Sequence, residues 1–384
     1  MGVTIYDIAD RANVSIATVS RVLNKNPRVS AQTRARVAKV AHELGYQPHP
    51  SAQSLARRQS SLVSAVIPMV TNYFFMEVLR GLQDRLGKSE FDLLVYSART
   101  MEEVGAQLDR ALHRGRSAGV LLFSSPLREQ QLSRMRRSGQ PIILVDCFHP
   151  EFDSVSIDNE QGGYLAARHL IEVGRSRIGL IMAHPGSVPA HERFRGYVRA
   201  LAESGIESRE EYVVASDDEE FHGYTESDGR DAMERLLRAD PAPDAVFSTS
   251  DVQALGALSA LRDAGLHVPE DVAVVGFDDI RLSEYIGLTT LRQPMYELGR
   301  LATEKLLTRI AEPDRIPTHT VFSPHLVMRA SSVVSLGNGL SAAAGVVTPG
   351  ESSGAAGVSG SSDALGTLRG ATDVLNTLRG ATDA

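Results

Sequence analysis

A single cysteine, Cys147, in 384 residues leaves no partner for an internal disulfide and suits a reducing compartment. No stretch of about eighteen apolar residues occurs, so no membrane-spanning helix is expected. The opening residues MGVTIYDIADRANV carry neither a basic n-region nor an apolar h-region, so no secretory signal is read there. Walker A, G-x-G-x-x-G, nucleophile-elbow and metal-spaced His/Cys patterns are also missing. The last absences predict a protein that is not an enzyme and holds neither cofactor nor metal. The lone cysteine and the lack of a membrane span and of a secretory signal point to the cytoplasm.

What is present is enough chain for more than one domain, with an ordinary globular balance of 42% apolar and 23% charged residues. The charge is unevenly spread. Residues 1–60 hold nine Arg and Lys against three Asp and Glu, or +6, which leaves −13 for the rest of a chain whose net charge is −7. A basic end on an acidic body is the footprint of a chain that presents one end to a polyanion, although a solvated charged surface gives the same count.

Three short helices can be read in that basic end. Thr4 and Asp7 have capping-box spacing, and Ile5, Ile8, Ala9 and Ala12 follow as one apolar face. After a turn at Asn13-Val14, Ser15 caps a second helix whose inward residues are Val19, Val22 and Leu23. Ser30 caps a third, with Val37, Val40, Ala41 and Leu44 inward and Gly45 as its stop. Two helices across a short turn, the second amphipathic, describe a helix-turn-helix. The outward face of that second helix carries Ile16, Ala17, Ser20, Arg21 and Asn24, with no acid among them. The fork of Arg21 matches a guanine edge in a major groove, while Ser15 and Thr18 sit where hydroxyls and backbone N–H groups suit phosphate. The competing reading is a three-helix bundle for protein contacts. In the following PHPSAQSLARRQS, about two helical turns centred on Leu55 are too short to be stable alone. They order if Leu55 wedges a minor groove beside Arg57 and Arg58, or else form a flexible linker.

From Ser61 the pattern changes. LVSAVIPMV, FDLLVYSA, GVLLFSS, PIILVDCF, SRIGLIMA, EEYVVASD, DAVFSTSD and DVAVVGFDD read as strands separated by amphipathic helices. This predicts two doubly wound lobes with parallel sheets. Ligands bind beyond the carboxyl ends of such strands, which selects residues 68–75, 123–125, 146, 184–193, 249–251 and 278–280. Asp146, Arg193, Asp251 and Asp278 gather there, with Phe74 and Phe75 as an aromatic wall. Carboxylates and a guanidinium can hold a polyol while an aromatic face covers its C–H surface. Each has a plainer reading: Asp251 and Asp279 as caps of the next helices, Arg193 as a solvated first-turn residue, Phe74 and Phe75 as core.

The run VTIYDIADRANVSIATVSRVLNKNPRVSAQTRARVAKVAHELGYQPHPSAQSLARRQS resembles, almost without gaps, the headpiece and hinge of the lac repressor family of bacterial regulators. The body is similar to that family's effector-binding domain in DNEQGGYLAARHLIEVGRSRIGLI, HERFRGYVRAL, STSDVQALGALSALRDAGLHVPEDVAVVGFDD and LTTLRQPMYELGRLATEKLL. The resemblance implies a homodimer that binds double-stranded operator DNA, with a small-molecule effector, a sugar or sugar derivative or alternatively a nucleobase-type metabolite, held between two periplasmic-binding-protein-like lobes. It places base reading on Ile16, Ala17 and Arg21, the minor-groove hinge leucine on Leu55, and phosphate contacts on Thr4, Tyr6, Ser15, Thr18, Ser20, Asn24, Ser30 and Thr33. Effector positions fall on Phe74, Phe75, Asp146, Arg193, Ser250, Asp278 and Met295; Ser250 departs from the asparagine some sugar-responsive members use.

The expected domains are a headpiece at 1–46, a hinge at 47–60, and an effector and dimerisation domain at 61–330. Within that domain, lobe 1 takes 61–158 and 290–321, and lobe 2 takes 159–289 and 322–330. A Gly/Ala/Ser-rich tail, 331–384, is expected to be disordered. Its ten-residue repeat, LGTLRGATDV then LNTLRGATDA, fits neither a heptad nor an eleven-residue seam, so no tetramerising helix is expected. Two other classes compete with the regulator: a transport-type sugar-binding protein, which needs a signal peptide and has no use for a headpiece, and an enzyme on two α/β lobes.

Overall fold

The computed structural model describes residues 3–23, 26, 28–46, 60–113, 115–218 and 222–333. Asn24, Leu55 with nearly all of the expected hinge, and the repeat-bearing tail lie outside them. In the N-terminal unit, helices α1 (Ile5–Ala12), α2 (Ile16–Leu23) and α3 (Ala31–Glu43) begin and end where their caps dictate. The backbone N–H and hydroxyl of Thr4 both donate to Asp7 Oδ2 at 2.7 Å. Those two bonds hold the Asp7 carboxyl below its ordinary range. Asn13 turns the chain with φ 50°, a conformation asparagine tolerates, so α2 starts three residues later. Ile8, Val19 and Val37 are fully buried and make a small common core with Ala9, Ala12, Val22 and Val40. Fully burying one such branched side chain stabilises by roughly 1.5–3 kcal/mol.

The body holds two six-stranded sheets. The first is built from β1 (Leu62–Pro68), β2 (Asp92–Ala98), β3 (Gly119–Phe123), β4 (Ile142–Val145), β5 (Asp153–Ile157) and β11 (His319–Phe322), in the order β11-β5-β4-β3-β1-β2. The second contains β6 (Ile178–Met182), β7 (Val213–Ala215), β8 (Ala245–Ser248), β9 (Ala273–Asp278), β10 (Thr289–Arg292) and β12 (His325–Val327), ordered β12-β10-β9-β8-β6-β7. Every ladder is parallel except β10 with β12. The interiors of β1, β3, β4, β6, β8 and β9 are buried and largely apolar, as strands covered on both faces require.

The chain passes between the lobes three times, and two crossings fall later than the sequence reading placed them. Thr289 to Arg292 pair in parallel with Val275 to Asp278, so they stay in lobe 2 and the crossing comes at Gln293. Phe322 pairs with Ile157 and so still belongs to lobe 1. The tail boundary moves as well. Ser331 and Ser332 are buried: Ser331 Oγ donates to Val274 O at 2.6 Å, and Ser332 Oγ shares hydrogen bonds with His169 and Thr289. These residues fasten the end of lobe 2.

Glycines set the spacing of paired helices on the faces. A Cβ on Gly163, in α7 (Asn159–Glu172), would lie 2.0 Å from the carbonyl oxygen of Arg193, and one on Gly196 would lie 1.9 Å from that of Glu160. Only hydrogen fits at both positions. The helix α8 (Val188–Glu203) therefore lies against α7 closely enough to bring Arg193 to the mouth of lobe 2. No helix of the described residues is long and apolar enough to cross a membrane.

Candidate functional site

Two surfaces carry the residues singled out by sequence. On the N-terminal unit, Ile16, Ala17 and Arg21 are exposed along α2, with Thr18 and Ser20 half-buried beside them. The first turns of α2 and α3 contain no acidic residue. Ser15 Oγ accepts from Thr18 N at 3.2 Å and bonds Thr18 Oγ1 at 2.9 Å, and Ser30 repeats both contacts with Thr33. Both caps leave helix N-termini, with their outward N–H groups, facing solvent, the arrangement that receives phosphate. Tyr6 is 62% exposed and Thr4 lies beside it, so both are accessible.

The second surface is a cleft of about 540 Å³, counted to its open mouth, where the carboxyl ends of both sheets face each other. Lobe 1 contributes Met69, Asn72, Phe74, Phe75, Ser124 and Asp146; lobe 2 contributes Ser187, Arg193, His222, Tyr224 and Asp278. Five of the seven expected effector residues therefore meet. Phe74 and Phe75 are core residues and cavity wall at once: they pack edge-on, 5.0 Å apart, inside the lobe 1 core while bordering the cavity.

Two expected residues do not reach it. Ser250 is buried as the N-cap of the helix Asp251–Asp263, where its hydroxyl accepts from Gln253 N at 3.2 Å. Met295 opens the helix Met295–Ala311 and points into the lobe 1 core. Asp251 is also buried away from the cavity. Its carboxylate accepts from Ile280 N, Ser283 Oγ and Thr290 Oγ1, and so ties neighbouring turns together instead of capping its own helix. Asp279 pairs with Arg292 and Arg329.

Arg193 is the centre of the polar wall and is 3% exposed. Its Nε donates to Asn159 Oδ1 at 2.9 Å, its Nη1 donates to the Thr249 carbonyl and lies 4.0 Å from Asp278 Oδ1, and its guanidinium carbon sits 3.6 Å from the centre of the Phe277 ring. Asn159 Nδ2 donates in turn to Asp146 Oδ1 at 3.2 Å, and Ser124 Oγ donates to Asp146 Oδ2. A polar chain thus runs from lobe 1 through Asp146 and Asn159 to Arg193. Burial pushes the Asp146 carboxyl above its usual range against the pull of Arg193. Burial raises Asp278 to about 8, again opposed by Arg193. One guanidinium faces two buried acids, so the wall is close to neutral when one of those acids holds a proton.

Asp278 consequently links stability to pH. Its folded value near 8 lies above the ordinary 3.8, so the folded state holds a proton that the unfolded chain releases between those limits. That contribution is complete below about pH 4 and is lost as pH rises through about 8. Asp278→Asn should remove this slope. Melting curves of both proteins from pH 5 to 8.5 should show wild type losing several degrees relative to the variant; parallel curves would contradict the assignment.

The sequence reading missed His222, Tyr224 and Asn159. His222 lies beyond β7, between its end and the helix Glu226–Leu236, outside the stretches selected at the strand ends. It adopts φ 53°, and its Nε2 is buried with no hydrogen-bond partner among the described residues. Burial and the neighbouring His184 lower its pKa, so the ring is neutral. Tyr224 OH bonds Ser187 Oγ at 2.8 Å across the rim. Among the described residues no group of three His, Cys, Asp or Glu could hold a metal ion.

Residues 4–49 match the model of the bacterial regulatory proteins of the lacI family, and residues 167–332 match that of a periplasmic binding protein-like domain. Catabolite control protein A of Priestia megaterium is 33% identical over 332 residues, covering 85% of this chain and 98% of that protein. Among solved structures, a lac repressor dimer bound to operator and the anti-inducer ONPF matches with a TM-score of 0.75 at 28% identity, over 87% of this chain and 100% of that one. A complex of the transcriptional regulator CelR with cellobiose matches with a TM-score of 0.62 at 32% identity, over 86% and 99%.

Proposed function

The chain belongs to the lacI family of bacterial regulatory proteins, and from that premise we propose that it represses genes of sugar uptake or catabolism under the control of a sugar-type effector held between its lobes. It is a DNA-binding transcription regulator with an effector-binding domain. The observation that carries the sugar reading is the wall around Arg193. A buried guanidinium, two buried acids and the side chains of Phe74 and Phe75 line one cleft. Carboxyl and guanidinium groups bind adjacent hydroxyls with directional, charge-assisted bonds, and an aromatic edge covers the apolar side of a ring. A relative in the same family, CelR, has been solved with cellobiose, which supports the class of ligand.

On the DNA side, Arg21 reads a base edge in the major groove, Ile16 and Ala17 make apolar contact, and Thr4, Tyr6, Ser15, Thr18, Ser20, Asn24, Ser30 and Thr33 hold phosphates. Two copies bind the two halves of a pseudo-palindrome, in the cytoplasm where the operator lies, and Leu55 enters the minor groove between them. An effector controls this only by binding two lobe arrangements unequally. The Asp146–Asn159–Arg193 chain, which crosses from one lobe to the other, is where that difference arises. The reading is tested by titrating the full chain into a duplex selected from a random pool. The selected site should be a pseudo-palindrome whose affinity falls steeply with salt. A protein that enriches no sequence, or binds without salt dependence, is not this regulator.

A further inference from the structure

We infer that the cleft is built for two linked rings, a disaccharide or other O-glycoside, with one ring in the inner cavity and the second in a recess beyond Tyr224. This rests on the sugar reading above. The recess spans about 550 Å³ to its open mouth and shares Met69, Asn72 and Tyr224 with the inner cavity, so the two spaces adjoin at those side chains. Its own wall adds Tyr73, Val252 and Glu226.

The residues at the start of the helix Tyr73–Leu86 divide between the two compartments. Phe74 and Phe75 turn into the lobe and border the inner cavity, whereas Tyr73 stays 42% exposed and borders the recess. Asn72 stands on the boundary: its Oδ1 accepts from Phe74 N at 2.9 Å, which fixes the side chain and leaves the amide N–H groups for a ligand. Across the recess, Glu226 opens the helix Glu226–Leu236 and joins no ion pair among the described residues. An exposed aromatic ring and an unpaired carboxylate lining one recess with Val252 offer a second ring a stacking face for its C–H groups and an acceptor for its hydroxyls. The same carboxylate disfavours a phosphoryl group on that second ring. The expected ligand is therefore longer than one ring and carries no anionic group on the second.

The test uses the full chain and calorimetric titration with cellobiose, maltose, lactose and trehalose beside their component glucose and galactose. At least one disaccharide should bind about tenfold or more tightly than its components. Tyr73→Ala and Glu226→Gln should each weaken that disaccharide about tenfold, leave the component sugar within about twofold, and leave the melting temperature unchanged because both side chains are exposed. If a component binds as tightly as every disaccharide containing it, or the two substitutions weaken both classes alike, the recess is no subsite while the sugar reading stands. If none of these sugars binds at millimolar concentration, the sugar reading falls and the two-ring inference falls with it.

Discussion

Arg193→Ala is expected to weaken effector binding about a hundredfold, on the order of 3 kcal/mol, and to abolish effector control of operator binding. Ligand-free affinity for the operator should stay within about twofold, because the reading helix of residues 16–23 is a separate unit with its own core. The size follows from what the guanidinium does. It is buried, stacked on Phe277, bonded to Asn159 and Thr249, and faces Asp278 at 4.0 Å. Removing it takes away the wall's cation and breaks the chain to Asp146. The fold should suffer less than the loss of a fully ionised buried pair, since burial already raises the Asp146 carboxyl above its ordinary range and Asp278 to about 8. Arg193→Lys should not restore function: an ammonium neither stacks flat on Phe277 nor serves Asn159 and Thr249 with one planar fork. Ligand titration of wild type and both variants, beside operator titration, checks all of this. Full effector response in Arg193→Ala would remove Arg193 from the mechanism.

Arg21→Ala is expected to flatten sequence preference, costing about 1–3 kcal/mol at each half-site and so counting twice in a dimer. Ile16 and Ala17, exposed on the same helix, offer only apolar contact, and Ser20 is half-buried behind them. Arg21 is then the long hydrogen-bonding side chain among the described residues of this face. The measurement is affinity for the selected duplex against duplexes mutated one base pair at a time. If the variant loses the same factor on every duplex, Arg21 touches phosphate only.

The N-terminal unit was legible in detail because its signals are local: Thr4 with Asp7, Ser15 with Thr18 and Ser30 with Thr33 are bonded as their spacing indicates. Strands with continuous apolar runs were legible too. β5 was not, since DSVSI begins on an acid that pairs with Arg309 and alternates with serine. Missing β5 hid Asn159, which stands just past its end and links the two lobes at the site.

The same contrast runs through the cleft. Asp146, Arg193 and Asp278 stand at or near the ends of well-marked elements, and two of them adopt positive φ that turns the carboxyl into the cavity. Ser250 and Met295 have the right neighbours in sequence but the wrong direction. A serine before a helix is drawn to cap it, and an apolar residue in a first turn is drawn to the core. His222 gives no signal in sequence at all. Its role comes from an orphaned nitrogen that only three-dimensional packing reveals.

The central claim is that occupancy of the cleft sets the grip of the reading helices. It is measured most directly by titrating full-length protein into its selected operator with and without a saturating sugar that binds the cleft. The account predicts a shift in operator affinity of tenfold or more, about 1.4 kcal/mol or above, that disappears in Arg193→Ala. An operator isotherm that stays the same with the cleft filled and empty would contradict it.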